Sequence, residues 1–262
     1  MKTIGFIGGG RITKIFLQAF KNAEISFEKV SVFDTNNDVL SNLKAKFPSI
    51  EVTTDQLDVV AKSDVVMLAL HPPVMMDTLA KIKDFIKKDA IIVSMAPKLT
   101  ISKMSAQLGG FPNIARMNPS ASTIVNKGIN PICFSQDMDV VGKELLKQLF
   151  APLGILPEVK ESKIEAYAMI SAMGHTYFFF QFQKLKELAV DFGMDEKEAK
   201  AVISDMLCGT TETLFYSELS YEEVTDLVPL KPLGEVEETI KGYYDQYLTG
   251  LYNKIKPVAE TV

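Results

Sequence analysis

The chain begins with an apolar strand that runs directly into three glycines. Residues 2–7, Lys-Thr-Ile-Gly-Phe-Ile, are followed by Gly8-Gly9-Gly10-Arg11-Ile12-Thr13 and then by the amphipathic pattern of a helix. Gly8 permits a tight turn, and Gly10, which has no Cβ, lets a pyrophosphate approach the backbone. The first amides of the helix then face that anion with the positive end of the helix dipole. The opening therefore predicts the βα turn of a dinucleotide-binding fold.

An acidic residue at the end of the second predicted strand fits the same cofactor class. Asp34 lies 24 residues after Gly10, where a carboxylate accepts both ribose hydroxyls of an adenosine and repels a 2′-phosphate. No Lys or Arg follows in residues 35–37, so the sequence favours NAD(H) over NADP(H). Thr35 and Asn36 can still hydrogen-bond a phosphate, and a helix cap is the alternative role for Asp34.

Composition excludes several classes of protein. The 262 residues are 47% hydrophobic, which suffices for a full core in one large or two ordinary domains. The net charge of −5 argues against a nucleic-acid partner, and no apolar run is long enough to span a membrane. The start leaves no room for a signal peptide, and Cys133 and Cys208 fit two reduced, buried thiols, so we expect a cytoplasmic protein. Two histidines and two cysteines give no metal-site spacing.

Strand and helix patterns alternate over about the first 150 residues, with apolar strands predicted at 64–70, 90–94, 113–117 and 129–134. After Ser162 only helices are predicted, at 163–192, 195–215 and 235–255. We therefore expect an α/β fold in which an N-terminal Rossmann-type doubly wound sheet is followed by an all-α domain. The predicted domains are residues 1–158, binding the dinucleotide, and residues 159–262, serving substrate binding and dimerisation.

The first helix of the C-terminal half has aromatic residues on every face. Tyr177-Phe178-Phe179-Phe180 is followed by Phe182, whereas an amphipathic helix keeps one face polar. Such a helix must be covered on all sides. The cover is either a partner subunit or the rest of its own helical bundle, and the sequence does not distinguish the two.

Several stretches together resemble one enzyme family. They are residues 5–13, 68–75, 116–120 and 171–179, followed by Gly193-Met194, Ala199 and Gly209-Thr210. Nearly from end to end the chain is similar to pyrroline-5-carboxylate reductases, which join a Rossmann domain to a helical dimerisation domain. Those enzymes reduce a cyclic imine acid to proline with NAD(P)H. The resemblance implies the same fold, the same cofactors and a homodimer or higher homo-oligomer formed through the helical domain.

The resemblance also implies site residues. Cofactor contacts fall at the first turn, at the end of the second predicted strand and at the start of the helix after the third: Gly8, Gly10, Arg11, Ile12, Asp34, Thr35, Leu70, His71 and Pro72. Substrate contacts fall at Asn118, Ser120 and Gly234. The family's substrate loop, Thr-Ser-Pro-Gly-Gly-Thr-Thr, stands here as residues 230–236, Leu-Lys-Pro-Leu-Gly-Glu-Val. Leu230 and Val236 cannot hydrogen-bond through their side chains.

Two side chains are candidates for the chemistry that the loop has lost. His175 is one of two histidines, and imidazole donates a proton readily near neutral pH. Lys231 offers a point charge to a substrate carboxylate, its alternative being an exposed loop lysine. His71 is interpreted as a strand-end residue whose ring bonds to backbone.

The sequence thus predicts an NAD(P)H-dependent oxidoreductase acting on CH–NH donors, converting 1-pyrroline-5-carboxylate to proline. The altered loop leaves two alternatives open. One is a reductase of a different cyclic imine or keto acid, and the other is a nucleotide-binding protein that has lost catalysis. If the protein is an enzyme, we expect its partner to be a small-molecule substrate, an imine or a keto acid. We expect no nucleic-acid partner and no membrane partner.

Overall fold

The structure is a computed structural model that describes residues 2–256. The chain forms two compact units, of which one runs through Ala172 and resumes at Tyr252, and the other is Met173–Leu251. The domain boundary expected after residue 158 stays a prediction.

The first unit is built on a seven-stranded sheet with the order β3-β2-β1-β4-β5-β6-β8. All neighbours are parallel except β8, which runs antiparallel to β6. The strands of both sheets are β1 Thr3–Ile7, β2 Lys29–Phe33, β3 Glu51–Thr53, β4 Val65–Leu68, β5 Ile91–Ser94, β6 Ile114–Met117, β7 Gly128–Ile129, β8 Ile132–Phe134 and β9 Gly154–Ile155. The order of the first six is that of a dinucleotide-binding fold, with its switch point between β1 and β4.

Helices cover both faces of the sheet, which explains why β4, β5 and β6 are buried at every residue. The helices of the first unit are α1 Arg11–Asn22, α2 Asn37–Lys46, α3 Leu57–Ala61, α4 Pro72–Ile82, α5 Ile101–Gln107, α6 Val140–Phe150 and α7 Ile164–Tyr167. On one face Phe16 of α1 packs against Phe6, Phe20 and Phe150. On the other face Met75, Leu79 and Met104 are fully buried, among others.

The predicted α/β fold is confirmed, but some elements differ from the sequence pattern. The short β3, α3 and α5 were not predicted, because three to seven residues carry too little periodicity to detect. The single strand expected at 129–134 is wrong. It divides into β7 and β8, which belong to different sheets, and Pro131, which has no N–H to donate, lies between them. The Asn130 N–H instead donates to the carbonyl of Ile155, the last residue of β9.

The second unit is helical, as predicted. Its helices are α8 Gly174–Asp191, α9 Glu196–Tyr216, α10 Tyr221–Asp226 and α11 Glu237–Tyr243. A further helix, α12 Gly250–Ile255, begins in this unit, which ends at Leu251. The continuous helices predicted at 163–192 and 235–255 are wrong in detail, because each contains a π-helical segment, Ala168–Ala172 and Tyr244–Thr249. No helix within residues 2–256 is both long enough and apolar enough to cross a membrane.

Among the residues that the structure describes, none covers the phenylalanines at the centre of α8. Phe178, Phe179 and Phe180 are 42%, 58% and 68% exposed. The hypothesis that this helix is enclosed by its own helical bundle is therefore wrong for the described residues. Contiguous exposed apolar surface of this kind marks an interaction site, which leaves a partner as the cover.

The two cysteines differ in environment. Cys133 on β8 is buried, and burial raises the pKa of its thiol to about 12. Cys208 on α9 is exposed, so the expectation that both thiols are buried is wrong for Cys208.

At the amino ends of the central strands, a carboxylate ties three elements together. Asp64 accepts the N–H and the hydroxyl of Thr3 at 2.8 and 3.0 Å, and Lys87 lies 2.8 Å away. Burial acts to raise the pKa of Asp64, but the Lys87 and Thr3 donors outweigh it and lower the pKa from 3.8 to about 2. Because the folded pKa is depressed, this contribution to stability is complete above the unfolded pKa and is lost as pH falls through about 2.

We expect Asp64→Asn to lower the free energy of unfolding by about 1–2 kcal/mol at pH 7, after allowance for partial exposure. The difference from the unsubstituted protein should shrink steadily below pH 4 in urea titrations. Asp58→Asn is the matched control, because Asp58 makes only an exposed pair with Lys62 and should change stability by less than about 0.5 kcal/mol. A deficit for Asp64→Asn that does not vary with pH would contradict the ion-pair origin.

Candidate functional site

The β1–α1 turn lies between two neighbouring strands. Gly8 has a φ of +104°, and its N–H donates to the Phe33 carbonyl at 2.7 Å. A Cβ on Gly8 would lie 2.4 Å from the Ala69 carbonyl oxygen, closer than any real contact. Only glycine fits this position, because it must have both a positive φ and no side chain.

Gly10 is a glycine for a different reason. Its φ of −74° is open to any residue, and beyond Gly10 and its two chain neighbours no atom of the described chain lies within 4 Å of where its Cβ would stand. Helix α1 begins at the next residue, Arg11, with no side-chain cap and no acidic residue in its first turn among residues 2–256. The amides of Arg11 and Ile12 therefore start a helix whose positive end is open to an anion.

Thr13 stands where a dinucleotide fold usually has its third small residue. Its side chain is fully buried, and the hydroxyl donates to the Gly8 carbonyl at 2.5 Å. The threonine thus ties the helix back to the turn that the helix leaves. This explains how the strand and helix pack closely without a glycine at this position.

Asp34 points back at the glycine turn. One carboxylate oxygen accepts the Gly9 N–H at 2.7 Å, and the other accepts the Asn36 N–H at 2.9 Å. The N-cap of α2 is Asn36, which accepts the Asp38 and Val39 amides, so the helix-cap alternative for Asp34 is wrong. Each oxygen keeps a lone pair, and the half-buried carboxylate can still accept ribose hydroxyls. Thr35 follows it, exposed.

The chain after β4 reaches the same edge of the sheet. The Ala69 N–H donates to the Ile7 carbonyl, and half-buried Leu70 leads into exposed His71 and Pro72 at the start of α4. No hydrogen bond from the His71 ring to another described residue is present, which contradicts its interpretation as bonded to backbone. The structure therefore brings the predicted cofactor residues from β1, β2 and β4 together at one carboxyl edge.

The substrate residues predicted in the first unit lie after β6. The Ser120 hydroxyl accepts the Ile129 N–H at 2.9 Å and lies 3.1 Å from the Ser122 hydroxyl, and Ser120 is only 1% exposed. Asn118 is half-buried, and its N–H donates to the Pro131 carbonyl. Ser120 thus holds its own loop, whereas the Asn118 side chain is partly accessible.

The other predicted residues belong to the second unit. Half-buried His175 lies in the first turn of α8 and stacks on Phe179, with ring centroids 5.8 Å apart. Lys231 and Gly234 are exposed, and the Gly234 N–H closes a turn onto the Lys231 carbonyl at 3.0 Å. The turn thus brings Lys231 and Gly234 together on the surface.

A cavity of about 480 Å³ in the second unit was not predicted. It is lined by Thr176, Tyr177, Phe180, Gln181, Ile240, Tyr243, Tyr244 and Leu248. Tyr177 lines this cavity and meets Tyr244 edge to face, with ring centroids 6.2 Å apart. Burial raises the pKa of Tyr177. The aromatic residues on every face of α8 gave no signal of this cavity.

A buried ion cluster was also missed. Arg116 on β6 is 1% exposed, and its guanidinium lies 2.7 Å from Glu165 of α7 and 3.0 Å from Glu161. Burial acts to lower the pKa of Arg116, but the two carboxylates outweigh it and hold the pKa above its usual value. An arginine inside the apolar strand Ile-Ala-Arg-Met was the available signal, since a buried charge needs a partner.

These residues fit a nicotinamide dinucleotide. The open space over Gly10 and the uncapped start of α1 suit a pyrophosphate, and Asp34 suits a ribose. Within residues 2–256, no group of three or more His, Cys, Asp and Glu side chains is placed to hold a metal ion.

Comparisons with known proteins agree with this class. Residues 3–98 match the family model for NADP oxidoreductase, coenzyme F420-dependent, and residues 161–234 match that for pyrroline-5-carboxylate reductase dimerisation. The pyrroline-5-carboxylate reductase of Methanosarcina acetivorans is 24% identical over 95% of this chain and 90% of its own length. Pyrroline-5-carboxylate reductase 2 of Bacillus subtilis is 24% identical over 94% of this chain and 88% of its own length.

Solved structures give the same fold. The Plasmodium falciparum pyrroline carboxylate reductase, solved with NADP bound, superposes with a TM-score of 0.80 at 19% identity, covering 97% of both chains. The Streptococcus pyogenes 1-pyrroline-5-carboxylate reductase gives 0.78 at 14% identity over 97% of this chain and 98% of its own.

Fold and site together define a two-part chain, a Rossmann-type dinucleotide-binding unit followed by a helical dimerisation segment. Over 94–95% of its length the chain is similar to pyrroline-5-carboxylate reductases, and its residues 161–234 match the dimerisation segment of that family.

Gly8 and Gly10 should respond oppositely to the same substitution. Gly10→Ala fits the backbone, so we expect a melting temperature close to that of the unsubstituted protein, with NADH affinity at least about tenfold lower because the Cβ enters the anion space. Gly8→Ala should instead lower the free energy of unfolding by about 2 kcal/mol or more, because its Cβ meets the Ala69 carbonyl. Thermal melts and NADH titrations of both variants give the answer. Unchanged NADH binding by Gly10→Ala would show that no anion binds at this turn.

Proposed function

We propose that this protein is an NAD(P)H-dependent reductase of a C=N bond that converts 1-pyrroline-5-carboxylate to proline. The observation that carries the proposal is the β1–α1 turn, which leaves space over Gly10 and faces Asp34 through the Gly9 amide. The names of the curated relatives supply the substrate. The overall change is hydride addition to the imine carbon and proton addition to the imine nitrogen.

The chain's own part at the cofactor is binding and orientation. The first-turn amides of Arg11 and Ile12 bind the pyrophosphate, and Asp34 accepts ribose hydroxyls next to Thr35. Leu70, His71 and Pro72 border the cofactor at the start of α4. When bound, the reduced nicotinamide supplies the hydride.

The substrate residues are proposals of the same kind. Lys231 binds the substrate carboxylate as a point charge, which its exposed position in the turn with Gly234 supports. His175 donates the proton to the imine nitrogen, and its ring stacks on Phe179. Asn118 contacts substrate, and Ser120 shapes the loop through its bond to Ile129.

The exposed phenylalanines of α8 support a homodimer or a higher homo-oligomer formed through the helical unit. A cytoplasmic location stays a prediction from the sequence.

Turnover decides between the proposed function and its alternatives. We expect 1-pyrroline-5-carboxylate to drive oxidation of NADH or NADPH, followed as loss of absorbance, with proline as the product. Turnover restricted to another cyclic imine or a 2-keto acid would overturn the substrate. Tight cofactor binding with no turnover on any of them would favour a protein that has lost catalysis.

His175→Ala should lower kcat by about 100-fold and flatten the pH profile, because the proton donor is gone. His175→Gln keeps a hydrogen-bonding side chain without the titration, and Phe179→Leu removes the stacking partner while keeping the imidazole. Both should fold, and only Phe179→Leu should keep the pH profile. A profile that His175→Ala leaves unchanged would remove His175 from the mechanism.

We propose a preference for NADH, because the Asp34 carboxylate repels a 2′-phosphate. Asp34→Asn should then raise NADPH affinity relative to NADH by about tenfold in parallel titrations, since it removes one charge at constant shape. Asp38→Asn is the matched control on the exposed first turn of α2 and should leave the ratio unchanged. Tighter binding of NADPH than of NADH by the unsubstituted protein would refute the preference.

A further inference from the structure

The buried ion cluster lies at the carboxyl ends of β5 and β6. Arg116 pairs with Ser94, the last residue of β5, across the sheet. Its two terminal nitrogens reach Glu161 at 3.0 Å and Glu165 at 2.7 Å, and the second also approaches the Ala96 carbonyl at 3.5 Å. One arginine therefore joins a strand end, the segment after β5 and the start of α7.

The cluster is not arranged for greatest stability. Within the described chain, Arg116 Nε and Glu165 Oε2 are both buried without a hydrogen-bond partner. Arg116 and Glu165 side chains are each 2% exposed, so their desolvation is nearly complete. Buried pairs of this kind often contribute less stability than apolar residues of the same volume, and unpaired buried polar atoms add a further cost. What the cluster contributes is therefore a fixed geometry.

The geometry that it fixes is that of residues 96–101, which follow β5. The Ile101 N–H donates to Glu161 at 2.8 Å, and the Lys98 N–H approaches Glu165 at 3.4 Å. Lys98 has a φ of +65°, a conformation that a residue with a side chain rarely adopts. A strained residue held by surrounding contacts is often found where the backbone serves a ligand.

We propose that Arg116, Glu161 and Glu165 are positioning residues that hold residues 96–101 for the nicotinamide half of the cofactor. The inference rests on the proposed function. In the order β3-β2-β1-β4-β5-β6, one half of the dinucleotide belongs to β1–β3 and the other to β4–β6. Asp34 and the glycine turn serve the adenosine and the pyrophosphate. The nicotinamide half of the cofactor then belongs at the carboxyl end of β5, which residues 96–101 follow.

The test compares two ligands that differ only in the nicotinamide. NADH and ADP-ribose are titrated into the whole protein and into Glu165→Gln, which keeps the shape of the side chain and removes its charge. We expect the Kd for NADH to rise about tenfold and the Kd for ADP-ribose to stay within about twofold. Glu158→Gln is the matched control, because Glu158 makes a surface pair with Lys147, and it should change neither constant.

A general loss of folding would weaken the binding of NADH and of ADP-ribose equally, and that result would overturn the positioning role. Unchanged Kd values for both ligands would overturn it as well. Should Glu165→Gln not fold, Glu161→Gln takes its place, since Glu161 is 31% exposed in its side chain. Its expected result is a several-fold weaker binding of NADH alone, with faster hydrogen exchange at the Ile101 amide. Failure of the unsubstituted protein to bind either ligand would instead overturn the proposed function, and the inference with it.

Discussion

The contact between Gly8 and the chain after β4 is the constraint on which the rest of the site depends. A side chain on Gly8 would meet the Ala69 carbonyl at 2.4 Å, and the Gly8 N–H is bonded to the end of β2. The turn is therefore fixed on both sides by backbone. Because the turn sets where α1 begins, it also sets where the open amides of Arg11 and Ile12 point.

The same constraint explains how the site tolerates an unusual residue at the third position of the motif. A glycine there would allow close packing through lack of a side chain. Thr13 achieves the close packing through its hydroxyl, which bonds the Gly8 carbonyl and needs no other partner. The polar group of a buried threonine is thus satisfied by the backbone that it helps to hold.

How far the sequence predicts this structure depends on the range of each interaction. The turn and Asp34 were predictable, because a strand, two glycines and an acid at a known spacing lie within one βαβ unit. The bond from the Gly9 amide to Asp34 follows from that unit. The Arg116–Glu165 pair was not predictable, since its members are 49 positions apart and only the folded sheet brings them together. The division at 129–134 was missed for a related reason, as two different partner strands decide it.

The two halves of the proposed reaction rest on different kinds of constraint. The cofactor side is defined mainly by backbone, through Gly8, the space over Gly10 and the amides of α1, and the fold that carries them is shared at sequence identities of 14–19%. The proposed substrate side depends instead on side chains in an exposed turn, which contains Leu230 and Leu233. Because the turn is exposed, substitutions in it change the groups that it offers to a substrate without disturbing the packing of the fold. The structure therefore constrains the cofactor class more strongly than it constrains the proposed substrate.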